Sequence, residues 1–157
     1  MGSAQLDDRG VVGECSVCGQ KNRLAYERLG KSVRCGKCKT AIGAPNQPIE
    51  VTSTADFDRL VAQSSLPVVV DYWAPWCGPC RMVAPEVQKV ATRRAGQAIV
   101  VKVNTDQLAD LGQRYSIRSI PTLAVFAGGR EMTRSSGARP AEEIEALVDQ
   151  ATQSSRA

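Results

Sequence analysis

The chain contains no histidine. Any metal site must therefore use cysteine or carboxylate ligands, and no imidazole is available as a general base. Long apolar runs are also missing: the uninterrupted stretches are only a few residues, against about 20 needed for a membrane-crossing helix. The opening residues, MGSAQLDDRG, have neither the basic start nor the apolar segment of a secretory signal. A cytoplasmic protein with no membrane association is the expectation. Charge is moderate, with 20 Lys and Arg against 16 Asp and Glu. The excess sits in residues 1–48, where eight basic side chains meet four acidic ones. Lys21, Arg23, Arg28, Lys31, Arg34, Lys37 and Lys39 permit contact with an acidic partner or nucleic acid. Tyr26, however, is the one aromatic in that segment on which a base could stack. Nucleic acid is not an expected partner.

Against these absences stand six cysteines, arranged as three Cys-x-x-Cys pairs: Cys15/Cys18, Cys35/Cys38 and Cys77/Cys80. Two thiols at this spacing can hold a metal, form a static crosslink or exchange electrons. In a reducing compartment the first and third are favoured.

Composition divides the chain. Residues 1–44 are short of large apolar side chains. Val11, Val12, Val17, Leu24, Tyr26, Leu29, Val33 and Ile42 are scattered without helical period. So small a segment needs a metal or a crosslink to fold. GAPNQPIE (43–50) reads as a linker. Beyond it the pattern is that of alternating strands and helices. IEVTS (49–53) is a short strand candidate. Ser53 and Asp56 signal a helix start, with Phe57, Leu60 and Val61 on one face. LPVVVDYWA (66–74) reads as a buried strand, and Pro79–Ala95 as a helix that Pro85 should kink. AIVVKVNTD follows as a strand and QLADLGQRYSI as a short helix. PTLAVFAGG and REMTRSSG form a hairpin about Gly128-Gly129, and RPAEEIEALVDQATQ is a closing helix. This order predicts an α/β domain: a central mixed sheet flanked by helices.

The outer pairs, Cys15-x2-Cys18 and Cys35-x2-Cys38, are separated by sixteen residues, the spacing of a four-cysteine zinc ribbon. Gly19 and Gly36 are expected to supply the permissive backbone of its two turns. Arg34, Lys37 and Lys39 flank the second turn and can moderate four thiolate charges. The expected metal is one structural zinc held by Cys15, Cys18, Cys35 and Cys38. Iron fits the same ligands, and two disulfides are the metal-free alternative.

The middle pair sits between a strand and a helix start. Unpaired N–H groups and the helix dipole there stabilise a thiolate, which makes Cys77 the expected nucleophile. Cys80 lies about one turn on and can attack a mixed disulfide formed at Cys77. Pro79 suits a first helical turn, and Gly78 leaves room for a substrate. Asp71, a lone acid in an apolar strand, is expensive to bury without a task.

VVVDYWAPWCGPCRMVAP (68–85) and SIPTL (119–123) resemble the active-site segment and cis-proline loop of the thioredoxin family, over about residues 50–153. Together with the amino-terminal cysteines the chain is similar to the zinc-containing bacterial members of that family. The resemblance implies a small ribbon at 1–44, a linker at 45–50 and a thioredoxin fold at 51–157. It implies a protein-disulfide reductase cycling through a Cys77–Cys80 disulfide, with no bound flavin or nucleotide. Asp71 would take the Cys80 proton, with Lys102 beside it. Trp76, Gly78, Pro79, Ile120, Pro121 and Gly137 would shape the groove for disulfide-containing client proteins. Electrons would come from an NADPH-dependent thioredoxin reductase, and a monomer is expected. The ribbon would be structural or would sense oxidants. A zinc-ribbon binding or chaperone module, which would not need Cys77 or Cys80, is the competing reading.

Overall fold

The computed structural model describes residue 1 and residues 3–156, with 155 and 156 described by backbone alone. The amino-terminal third folds as small antiparallel pieces. Strands β1 (Ala4–Leu6), β2 (Gly10–Glu14) and β3 (Lys21–Ala25) form one sheet. After a single 3-10 turn at Tyr26–Arg28, β4 (Val33–Arg34) and β5 (Ala41–Ile42) form a two-stranded ribbon. None of these elements is long enough to bury a face by itself.

The remainder follows the predicted alternation. β6 (Ile49–Glu50) leads to helix α1 (Thr54–Gln63), then β7 (Val68–Trp73), α2 (Gly78–Arg93) and β8 (Ile99–Asn104). Helix α3 (Ala109–Arg114), the hairpin β9 (Thr122–Ala127) and β10 (Arg130–Ser136), and α4 (Ala141–Arg156) complete it. Five strands form one sheet in the order β10-β9-β7-β8-β6. β7 and β6 run parallel to β8, whereas β9 is antiparallel to β7 and β10, so the sheet is mixed as expected.

Local signals explain the boundaries. The Ser53 hydroxyl accepts the Asp56 N–H at 3.1 Å, capping α1. Gly128 and Gly129 take φ of 63° and 84°, the left-handed pair a two-residue hairpin turn requires. Helix α2 continues through Pro85, whose ring nitrogen has no proton for the previous turn.

The period-2 alternation of the sheet separates two apolar layers. Val69, Val100, Leu123 and Val125 face α2 and α4, meeting Val83, Val87, Val90, Ile144 and Val148. Val68, Val70, Tyr72, Val101 and Val103 face the other way, onto Phe57, Leu60 and Leu111. Phe57, Tyr115 and Phe126 add edge-on ring contacts on that side.

The amino-terminal segment joins this second layer. Leu6, Val11, Leu24, Tyr26 and Leu29 are buried in the same cluster as Ile49, Phe57 and Leu60. Hydrogen bonds tie the two parts: Ser65 N–H donates to the Tyr26 carbonyl at 3.1 Å, and Gly30 N–H to the Ser65 hydroxyl at 3.3 Å. At the end of the 45–50 stretch, Ile49 and Glu50 pair with Val101 and Lys102 as the sheet's edge strand. Ile49 is buried there, so the strand expected at 49–53 forms at Ile49–Glu50, the last two residues of the stretch that also reads as a linker.

Candidate active site and metal centre

Helix α2 begins directly after the middle cysteine pair's first member. Cys77 is the residue capping it, and the Cys77 Sγ accepts the Cys80 N–H at 3.2 Å. Gly78 and Pro79 occupy the first two helical positions, where Pro79 loses no hydrogen bond. Cys77 and Cys80 form a disulfide, with their Cα atoms 5.3 Å apart. Both are buried to the same degree in this oxidised form, so exposure does not single out Cys77. Position does: its sulfur sits at the helix N-terminus and 3.7 Å from the Ile120 carbonyl oxygen.

The Ile120–Pro121 peptide is cis, and it brings the 119–123 loop against the disulfide. The Gly137 N–H donates to the Pro121 carbonyl at 2.8 Å, fastening the cis proline to the residue that follows β10. Thr122 adds two bonds, to the Ser119 carbonyl at 2.7 Å and with the Ser136 hydroxyl at 3.2 Å. Trp76 is 69% exposed and Met82 72% exposed, two large apolar side chains left in water one and two residues from the pair in sequence. The Trp76 indole N–H donates to Asp106 at 3.1 Å, which holds the ring in place. Gly78 and Pro79 are exposed, and a Cβ built on Gly78 meets nothing within 4 Å. Gly78 therefore answers no crowding within the chain itself.

Asp71 lies on the sheet face that α2 covers, the face of Val69. It is 1% exposed, and neither carboxylate oxygen has a hydrogen-bond partner. Desolvation pushes its pKa up from 3.8 to about 7, against the pull of the Lys102 charge and with the help of Glu50. Lys102 is its direct neighbour on β8. The ammonium sits 4.4 Å above the Trp73 ring, a cation–π contact that gives this half-buried tryptophan a place beside the acid.

The outer pairs converge at one point. The four sulfurs of Cys15, Cys18, Cys35 and Cys38 all lie within 4.8 Å of one another. Across the cluster, Cys15 and Cys38 are 3.7 Å apart and Cys18 and Cys35 3.6 Å. A tetrahedron with Zn–S bonds of about 2.3 Å has edges of about 3.8 Å, so the spacing fits zinc. The two turns are near copies. Cys15 N–H donates to the Gln20 carbonyl and Cys35 N–H to the Thr40 carbonyl, both at 2.8 Å. Val17 N–H points at Cys15 Sγ and Lys37 N–H at Cys35 Sγ, each at 3.4 Å.

The expected permissive residues of the two turns, Gly19 and Gly36, do not both take a left-handed conformation. Gly19 has φ of 77°, but its counterpart in the second turn is Lys39, at 65°. Each follows the second cysteine of its pair. Lys39 tolerates the left-handed conformation while its ammonium donates to the Gly36 carbonyl at 2.8 Å and its own carbonyl accepts from Arg34 at 3.1 Å. Arg34 and Lys39 thus bind the turn's carbonyls as well as adding positive charge.

Asn22, which no motif marked, bridges the two turns. Its amide donates to Cys35 Sγ at 3.4 Å and to the Gln20 carbonyl at 3.0 Å, and its oxygen accepts the Gly36 N–H at 3.0 Å. Its place four residues after Cys18 was the available signal. Without a cation the four sulfurs do not share ionisation evenly. Cys35 is pushed down to about 6, chiefly by the Cys38 N–H, with Asn22 next. Cys18 is driven up to about 11: the Gln20 N–H favours its thiolate, but desolvation and the three other sulfurs outweigh it. A divalent cation removes that conflict.

Comparison with known proteins matches both parts. The family model described as Thioredoxin matches residues 48–150, and the one described as Thioredoxin 2, N-terminal, matches residues 14–40. Thioredoxin C-3 of Corynebacterium nephridii is 37% identical over 139 residues, which span 88% of this chain and 94% of that protein. Thioredoxin 1 of Synechococcus elongatus is 48% identical over 95 residues, 60% of this chain and 89% of its own. Among solved structures, a mutant thioredoxin from Halobacterium salinarum NRC-1 superposes with a TM-score of 0.63 at 30% identity. That match covers 69% of this chain and 93% of the other.

Proposed function

Because the chain belongs to the thioredoxin family, we propose that its thiol–disulfide oxidoreductase activity on protein disulfides runs through specific roles for the residues gathered at the start of α2. The Cys77 thiolate attacks one sulfur of a client disulfide, and the other client sulfur leaves as a thiolate. A mixed disulfide between Cys77 and the client results. Cys80, deprotonated, then attacks the Cys77 sulfur, and the second client sulfur leaves. Two electrons pass to the client, and the Cys77–Cys80 disulfide remains. The observation that carries this reading is that disulfide at a helix N-terminus, on the sheet face that holds a buried, unpartnered carboxylate at Asp71.

Asp71 is the acceptor for the Cys80 proton. An acid with a pKa near 7 can take and return a proton at neutral pH, which an ordinary carboxylate cannot do efficiently. Lys102 tempers its burial. Trp76 and Met82 offer clients an apolar rim. Half-buried Ile120, presented by the cis Pro121 loop, offers backbone groups to an extended client segment, with Gly78, Pro79 and Gly137 leaving the groove open. Reduction of the spent disulfide falls to an NADPH-dependent thioredoxin reductase, since the sequence carries no nucleotide-binding motif of its own. We place this activity in the cytoplasm. Among the described residues no helix is long and apolar enough to cross a membrane.

Cys15, Cys18, Cys35 and Cys38 hold one zinc ion, which crosslinks two turns that share a small core and supplies no redox chemistry. The test is insulin reduction with dithiothreitol, run beside metal analysis. Cys77→Ser should abolish turnover, and the purified chain should carry about one zinc. Turnover unchanged in Cys77→Ser would refute the redox assignment. A chain free of metal after purification under reducing conditions would refute the ribbon's.

A further inference from the structure

Asp71 and Lys102 are the two charged residues of this site that the family pattern marks. The sheet adds a third. In the β7–β8 pairing Asp71 stands beside Lys102, and in the β6–β8 pairing Glu50 stands beside Lys102. Paired positions in neighbouring strands project to the same face. The flanking residues agree. Ile49 and Val51, on either side of Glu50, are buried in the layer with Val70, Tyr72, Val101 and Val103, while Val69 and Val100 join the α2 layer. Asp71, Lys102 and Glu50 therefore form a row across one sheet face: carboxylate, ammonium, carboxylate. The row runs from the middle of the sheet to its edge strand β6.

Lys102 is not committed to either acid. Among the described residues no ion pair within 4.0 Å joins it to Asp71 or Glu50. Its ammonium rests on the Trp73 ring instead. Both carboxylates nevertheless feel it, and the Glu50 charge also bears on Asp71. The remaining surroundings of Asp71 add little charge. β9 places Leu123 opposite it. On α2, which covers this face, Cys77 and Cys80 are joined as a disulfide and carry no charge. Further along α2, Glu86 is engaged by Lys89 and the Ala141 N–H. The α4 acids Glu142 and Glu145 are engaged by Arg93 and Arg94. Glu50 itself is exposed at the edge strand, where water reaches the row.

We propose that Glu50 is a positioning residue for the buried acid: it shares Lys102 with Asp71 along this row and so sets how readily Asp71 exchanges the Cys80 proton. The proposal rests on the role given to Asp71 above. With Glu50 ionised, Lys102 is divided between two anions and Asp71 faces a like charge about two strand spacings away, about 10 Å. Both effects keep the Asp71 proton on. Neutralising Glu50 releases Lys102 to Asp71 and removes the like charge, so the Asp71 carboxylate forms at lower pH. A unit charge at about 10 Å, between a protein-like and a water-like dielectric, moves the midpoint by about 0.3–1 pH unit.

The experiment measures single-turnover reduction of insulin by the fully reduced, zinc-loaded chain from pH 5.5 to 9. It compares wild type, Glu50→Gln, Glu50→Asp and Asp71→Asn, each checked for an unchanged far-ultraviolet spectrum. The expected result has three parts. The inflection assigned to Asp71 disappears in Asp71→Asn. It moves down by about 0.3–1 pH unit in Glu50→Gln and returns towards wild type in Glu50→Asp. The Glu50→Gln displacement shrinks in 1 M salt, which an effect of packing alone would not do. An inflection that Asp71→Asn abolishes but Glu50→Gln leaves in place would overturn the role of Glu50 while sparing that of Asp71. An equal displacement in Glu50→Gln and Glu50→Asp would overturn it as well. A profile that Asp71→Asn leaves unchanged would overturn the Asp71 assignment, and this proposal with it.

Discussion

Replacing Asp71 by asparagine keeps the side chain's size and removes its charge. The folded chain holds the Asp71 proton up to about pH 7, whereas an exposed aspartate releases it near 3.8. A carboxyl whose folded pKa is raised makes the folded state the tighter proton binder, so stability falls as pH climbs through that window and levels off above it. The span amounts to roughly 4 kcal/mol at about 1.4 kcal/mol per pH unit, and roughly 2.7 kcal/mol of it is lost between pH 5 and 8.5. The asparagine variant should lack this dependence. Its amide has hydrogen-bonding needs of its own in the same dry site, but that penalty is equal at every pH. The informative quantity is therefore the change in the difference between the two proteins, not its absolute size. Guanidinium unfolding of the oxidised, zinc-loaded proteins, followed by the fluorescence of Trp73 and Trp76, gives it directly. Asparagine should gain on aspartate by about 2–3 kcal/mol between pH 5 and 8.5. Parallel pH curves for the two proteins would refute the claim that Asp71 is buried as an acid with no strong partner.

Asn22→Leu removes the side chain that bridges the two cysteine turns. Zinc affinity, read by competition with a chromophoric chelator, should fall about 10–100-fold, as for other groups that orient metal ligands, with insulin reduction little changed. Leu29→Ala empties a buried site in the layer shared with Phe57 and Leu60. It should destabilise the whole chain by about 2–5 kcal/mol, seen in one transition by tryptophan fluorescence although both tryptophans lie outside the ribbon. A separate, earlier transition for the ribbon would show that the shared core does not couple the two parts. Ser53→Ala removes the α1 cap and should lower stability by about 1 kcal/mol at any pH.

Much of this molecule is legible in local patterns. Val68–Val70 and Ile99–Val101 are strands because β-branched runs suit a sheet covered on both sides. Ser53 starts a helix because its hydroxyl serves a free N–H. Cys77 and Cys80 stand apart from the outer pairs because a strand precedes them and Gly78-Pro79 opens a helix. These signals act over one to four residues, and sequence carries them in full. The metal centre was legible too, since two pairs at that spacing close on one point. Its second turn was misread, because a glycine is the usual marker of a left-handed residue, and here Lys39 takes that conformation, supported by bonds to its own turn.

The amino-acid sequence by itself marked two cysteine pairs at zinc-ribbon spacing and a third pair between a strand and a helix start, while the Cys77–Cys80 disulfide cycle came from the family resemblance. The tertiary structure alone decided what surrounds them. Asn22 reaches Cys35 across thirteen positions because two turns fold face to face. Leu29 and Tyr26 enter a core that starts beyond the linker because the ribbon packs on α1 and β6. Glu50 joins Lys102 and Asp71 because strand order, not chain order, makes β6, β8 and β7 neighbours. Register between strands far apart in sequence sets which charges meet, and no local pattern records it.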